Sequence, residues 1–379
     1  MSRPAPKIRG MDISQLNALT AQVLWAAFVL AAIFGAIAQR THFCTMGAVS
    51  DIVNMGDWTR MRMWGLAIGV AMIGFYGMAA AGLIDPAKTL YASNRFIWLS
   101  ALVGGLLFGF GMVLASGCGS KTLVRIGGGN LKSLVVFVVM AVAAFATLKG
   151  ITAVVRVATV DRVAIDFSGN ASLPNWAAGI AGVTPALAGL VLALVLGGGL
   201  IAWALAGSEF RRFDNLLAGF GIGAVIVGMW WVSGHLAYVA EHPETLEETF
   251  LATNSGRMEA LSFVSPVAYT VDWFMFFSDK TKLLTIGIVS VFGVVAGSAV
   301  YSLLSRSFRW EGFRDAEDTG NHLAGAVLMG VGGVTAMGCT IGQGLSGIST
   351  LSATSIVAVA AILAGCVAGV RYQDWRLER

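Results

Sequence analysis

Nine runs of apolar residues, each about 17–25 long, recur along this chain, and that is the length a helix needs to cross a hydrocarbon core of roughly 30 Å. They lie near 21–38, 64–83, 97–115, 133–154, 185–206, 216–232, 283–304, 321–337 and 354–370. In lipid such runs satisfy their backbone groups only as helices, so the pattern predicts an all-α polytopic membrane protein. Of the 379 residues only 12% are charged, about half the share of a soluble domain. Mean hydropathy is +0.76. No stretch reads as a separate soluble domain, so residues 1–379 form one unit. Arg3, Lys7 and Arg9 precede the first run without a cleavage pattern, and Val23–Ala38 reads as a retained helix.

The remaining composition narrows the function by exclusion. The net charge is +4, and the basic residues sit mostly between spans. They read as topology signals, not as a nucleic-acid surface. The four cysteines form no Cys-x-x-Cys pattern, and His42, His235, His242 and His322 are scattered without metal-ligand spacing. No metal and no cofactor is expected. No carboxylate falls clearly inside a run, so a relay of buried acids is not apparent.

Two segments are copies of each other. One offset aligns Gly104 with Gly325, Gly109 with Gly330, Gly111 with Gly332, Gly117 with Gly338 and Cys118 with Cys339. They close the third and eighth runs, which cross in opposite directions. The chain therefore divides into two inverted halves, about 21–154 and 216–370, joined by a connector helix at about 185–206. Inverted repeats with interrupted helices are a recurring transporter plan. The segments after the first, third and eighth runs are too short for full spans and suit re-entrant half-helices. A fourth such piece is expected at Trp230–His235, and a surface helix at Glu244–Thr253.

The chemistry concentrates on three cysteines. Cys118 and Cys339 each follow a glycine (Gly117, Gly338) and precede a small residue (Gly119, Thr340). That suits the start of a short helix, where free N–H groups and aligned dipoles favour an anion. Lys121 and Gln343 are expected at the rim of each loop. Cys44 ends the first run, in Gln39-Arg40-Thr41-His42-Phe43-Cys44. Cys366 lies within an uninterrupted run and reads as packing. For any single membrane cysteine, packing is the simplest reading. Matched positions in a repeat argue for more.

These motifs are where the chain resembles a known family. Gln39-Arg40 with Phe43-Cys44, Ser116-Gly117-Cys118-Gly119 and Gly338-Cys339-Thr340-Ile341-Gly342-Gln343-Gly344 are similar to motifs of the YeeE/YedE family of bacterial inner-membrane sulfur-compound transporters. The resemblance implies nine spans with short half-helices, an hourglass-like path and uptake of thiosulfate past three cysteines, here Cys44, Cys118 and Cys339. It also implies a small cytosolic sulfur-carrier (TusA-like) protein as partner, beside membrane lipid. The first Gly-Cys segment continues as Gly-Ser-Lys-Thr, a departure from many relatives that leaves selenium or other sulfur species open as cargo. The substrate-binding set is then Cys44, Cys118, Cys339, Gly117, Gly119, Gly338, Thr340, Lys121 and Gln343, in a permease without catalytic residues. Two rival readings are a membrane sulfurtransferase relaying sulfur through a cysteine persulfide, and a scaffold subunit of a larger complex.

Fourteen of the twenty-five Lys and Arg, including Arg40, Arg60, Lys121, Arg125, Arg371 and Arg379, fall on one side of the predicted spans. The positive-inside rule makes that side cytoplasmic, with the N-terminus out and the C-terminus in.

Overall fold

The structure is a computed structural model and describes residues 12–243 and 245–378. Arg3, Lys7, Arg9, Glu244 and Arg379 lie outside the described residues. Fifteen helices carry the fold: α1 (Ile13–Thr41), α2 (Thr45–Met55), α3 (Thr59–Ala80), α4 (Trp98–Leu114), α5 (Gly119–Gly127), α6 (Leu131–Lys149), α7 (Ile151–Ala158), α8 (Leu173–Ala181), α9 (Pro185–Ala206), α10 (Phe213–Leu236), α11 (Ser265–Met275), α12 (Ile286–Leu304), α13 (Ala316–Thr335), α14 (340–349) and α15 (Ala353–Leu377). Among the described residues eight helical stretches are long and apolar enough to cross a membrane. The protein is an all-α polytopic membrane protein. The remaining long helix, α13, carries Glu317 and Asp318 in its first turn and is otherwise mostly apolar.

The helices are small inside and bulky outside. In α1 the buried positions include Val23, Ala27, Ala31, Gly35 and Ala38, while Trp25 and Val29 face outward. Small residues let backbones approach where lipid removes the hydrophobic drive for association. A side chain on Gly297 would strike Ala32 of α1, and one on Gly293 would strike Phe28, so α1 and α12 run parallel. Gly105 and Gly109 of α4 lie against Ala358 and Ile362 of α15, again parallel. The central pair is antiparallel. A Cβ on Gly104 would meet Gly332 and Ala336, and one on Gly111 would meet Gly325 and Met329. Under the repeat offset, Gly111 corresponds to Gly332 and Gly104 to Gly325, so the α4–α13 seam is self-complementary.

The short helices expected after three spans are present as α2, α5 and α14. Other expectations need correction. The run near 133–154 breaks at Gly150, which separates α6 from α7. Residues 232–236 continue α10 as a π-helical turn, not as a separate half-helix. The Glu244–Thr253 stretch holds no helix among its described residues. Instead β3 (Tyr238–Val239) pairs antiparallel with β4 (Thr249–Phe250). A second antiparallel pair, distant in sequence, joins β1 (Arg95–Phe96) to β2 (Ile165–Asp166). Tyr238 and Phe250 lie tilted against each other across β3 and β4, a cross-strand aromatic pair that a search for helical periodicity misses. Helix α9 packs on α3, where Gly65 and Gly69 admit Trp203 and Gly197.

Candidate functional site

Each of the three motif cysteines is the residue from which a short helix starts. Helix α4 ends in a Schellman turn: Gly117 N–H donates to Met112 O at 2.8 Å and Ser116 N–H to Val113 O at 3.0 Å. Helix α13 repeats it, with Gly338 N–H on Gly333 O at 2.8 Å and Met337 N–H on Val334 O at 3.1 Å. In both, the left-handed residue is not glycine: Ser116 has φ 56° and Met337 φ 58°. The turn redirects the chain at once into Cys118 or Cys339, and the next helix begins.

All four cysteines are free and buried. Cys44 Sγ accepts the Gly47 N–H at 3.5 Å, and Cys339 Sγ accepts the Gly342 N–H at 3.4 Å. Both sulfurs thus cap their helices as a serine oxygen would. With the lone pair engaged, the S–H is left to donate. Cys118 makes no such cap, and its Sγ lies 3.3 Å from Ser120 Oγ. Phe263 stands between the two copies, its carbonyl against Gly119 and its backbone N–H toward Cys339.

The two rim residues part company. Lys121 folds back beside Gly117 and is close to Arg125, Arg60, Cys44 and Cys118. Arg60 lies against Gly47 and pairs with Asp51 at 3.2 Å. Three cations thus surround the Cys44 and Cys118 end. Gln343 is not at a rim. It is fully buried, and its Nε2 donates to Ala336 O at 2.7 Å, stapling the turn before Cys339. Arg40 also serves structure, pairing with Asp214 at 2.8 Å and lying over Phe213. Cys366 packs its backbone against Gly109.

Sequence reasoning missed the residues that brace α14. Tyr91 Oη donates to Gly342 O at 2.5 Å, Trp230 Nε1 to Ser349 Oγ at 3.0 Å and Tyr76 Oη to Thr350 O at 2.7 Å. Burial pushes the Tyr91 phenol well up, so it stays a donor. Only long-range packing brings these rings to α14, and no local motif marks them. Beside this end of α14 is a cavity of about 160 Å³ lined by Tyr91, Glu259, Ser262 and Met337. Burial pushes the Glu259 carboxyl up to about 7, against weaker help to its charged form from Ser255 Oγ and the Asn254 N–H. Among the described residues it has no ion-pair partner.

Several buried polar atoms have no hydrogen-bond partner among the described residues: Thr45 Oγ1, Trp64 Nε1, Thr340 Oγ1, Gln343 Oε1 and Ser355 Oγ are five of them. Each such atom costs about 1–3 kcal/mol.

Comparison with known proteins fits this arrangement. The sulphur transport family profile matches residues 40–368, which takes in Cys44, Cys118 and Cys339. The chain belongs to the sulphur transport family. It is 27% identical over 339 residues to the thiosulfate transporter TsuA of Escherichia coli K12, covering 85% of this chain and 87% of the relative. It is 24% identical over 350 residues to TsuA of Spirochaeta thermophila, covering 89% of this chain and 94% of the relative. A shorter match of 30% over 110 residues, 29% of this chain and 26% of the relative, is to the probable transporter YedE of Escherichia coli K12.

Proposed function

We propose that this protein carries thiosulfate across the bacterial inner membrane without chemical change. The observation that carries the reading is the placement of three free, buried thiols at the starts of three short helices. Thiosulfate is a small dianion with a soft terminal sulfur. Helix N-termini supply positive potential without a fixed full charge. The thiols are weak donors that strip water from the ion in steps without trapping it, as conduction requires. The α4–α13 seam supports two inverted halves within one transport domain. The cavity beside Tyr91 and Met337 serves as the outer mouth, and the Lys121, Arg125 and Arg60 cluster faces the cytoplasm. The N-terminus is then outside and the C-terminus inside. A small TusA-like carrier protein is the cytosolic partner at the cationic end, where the ion arrives intact.

Uptake in a strain that depends on thiosulfate for sulfur tests this directly. The reading expects growth on thiosulfate and none attributable to the protein on sulfate, sulfite or selenite. Selenite-dependent transport with no thiosulfate uptake would replace it.

A further inference from the structure

A cleft of about 410 Å³ opens where α9 ends and α3 begins. One apolar span starts at Thr59 and another stops at Ala206, so the cleft lies at the level where hydrocarbon gives way to lipid headgroups. Trp58 and Trp203 mark that level. They meet edge to face at 6.2 Å and are 49% and 37% exposed, as aromatic residues of a membrane interface are. Helix α9 is also the least buried of the long apolar helices, so lipid covers most of it.

The cleft holds charges of both signs that do not pair. Arg62, Asp57 and Glu209 all line it, beside Thr59, Gly207 and Ser208, and its wall is more polar than apolar. Arg62 is half-buried. Its guanidinium lies over the Trp203 ring at 5.5 Å and against Gly207, where a side chain would displace it. Among the described residues that guanidinium makes no hydrogen bond and no ion pair. Asp57 accepts the Thr59 N–H at 2.8 Å. Hydrogen bonds from the Thr59 hydroxyl and N–H keep its carboxyl below the usual range, so it is charged at neutral pH. Glu209 is exposed and has no partner among the described residues.

These groups select a ligand. A guanidinium binds phosphate oxygens through its fork of N–H donors, and a carboxylate accepts from an ammonium. An anion alone would meet two carboxylates, and a cation alone would meet Arg62. A ligand carrying both charges satisfies all three. We propose that this cleft holds the headgroup of a phospholipid bearing a primary amine, with its phosphate on Arg62, its ammonium on Asp57 and Glu209, and its acyl chains along α9. Such a lipid ties the end of α9 to the start of α3. The site is separate from the cysteines and does not depend on the cargo.

Native mass spectrometry on the detergent-purified full chain tests this, with phosphatidylethanolamine, phosphatidylcholine and phosphatidylglycerol offered at equal concentration. The choline lipid keeps the phosphate and has no N–H, and the glycerol lipid keeps the phosphate and has no cation. Phosphatidylethanolamine is expected to bind roughly tenfold tighter than either, the effect of one hydrogen bond between charged groups. Arg62→Gln is expected to weaken all three. Glu209→Gln, a change at an exposed position that leaves the fold alone, is expected to shrink the preference for the amine. Soluble phosphoethanolamine at the same concentration is expected not to compete, and equal competition would overturn the lipid in favour of a free solute. Equal binding of the three lipids, a preference for phosphatidylglycerol, or an amine preference untouched in both variants would overturn the site.

Discussion

At the scale of single residues, a cysteine that caps a helix has both a structural and a chemical duty, and substitution separates them. Serine caps better than cysteine and lacks the soft sulfur. Cys44→Ser and Cys339→Ser are therefore expected to fold with unchanged or raised unfolding temperature and to lose most thiosulfate uptake. Full uptake in either serine variant would reduce that thiol to a cap. Cys366→Ala, which trims a packing residue of α15, is expected to leave uptake near wild type. Glu259 gives a pH dependence of definite sign. Its carboxyl titrates at about 7, so it is neutral below and negative above. With the cavity beside Tyr91 as the proposed mouth, the charged form repels a dianion there, and uptake should be faster at about pH 6 than at about pH 8. Glu259→Gln should flatten that profile near its acid level. The same raised value means that this group's contribution to stability is present in acid and lost as pH rises through about 7. An unchanged profile in the glutamine variant would show that this carboxyl does not face the ion.

At the scale of elements, the α4–α13 seam determines where both Gly-Cys turns sit. Gly104, Gly111, Gly325 and Gly332 bring the two backbones together at corresponding points. Gly111→Val or Gly332→Val has no free space to enter. Either is expected to cost about 1–3 kcal/mol by overpacking and to misplace the adjacent cysteine, lowering uptake more than protein level. Normal uptake in both variants, measured against protein in the membrane, would contradict the seam as the positioning element. Much of this element was legible in the chain because glycine spacing, the cysteines and the apolar runs are local patterns. The turn chemistry was less so: Ser116 and Met337 adopt a left-handed backbone usually left to glycine. The bracing of α14 was not legible at all. Tyr76, Tyr91 and Trp230 reach α14 from distant segments, and Gln343 turned inward because an adjacent carbonyl needed a donor. Such pairings are set by tertiary packing and leave no period in the sequence.

At the scale of the whole molecule, the proposed reading has two inverted halves that present one turn to each face. In a background without the other cysteines, a small charged thiol reagent should reach Cys339 faster from outside and Cys118 faster from the cytoplasm. Thiosulfate should slow both reactions, and labelling of both from one face would contradict the inverted arrangement. The most direct measurement is uptake of thiosulfate labelled separately on its two sulfur atoms, in vesicles holding wild-type protein or Cys118→Ser. Intact passage along the thiol path predicts that both labels enter in equal amount and fall together by at least roughly tenfold in the variant. Entry of the terminal sulfur alone, or undiminished entry of both labels in a folded Cys118→Ser protein, would contradict it.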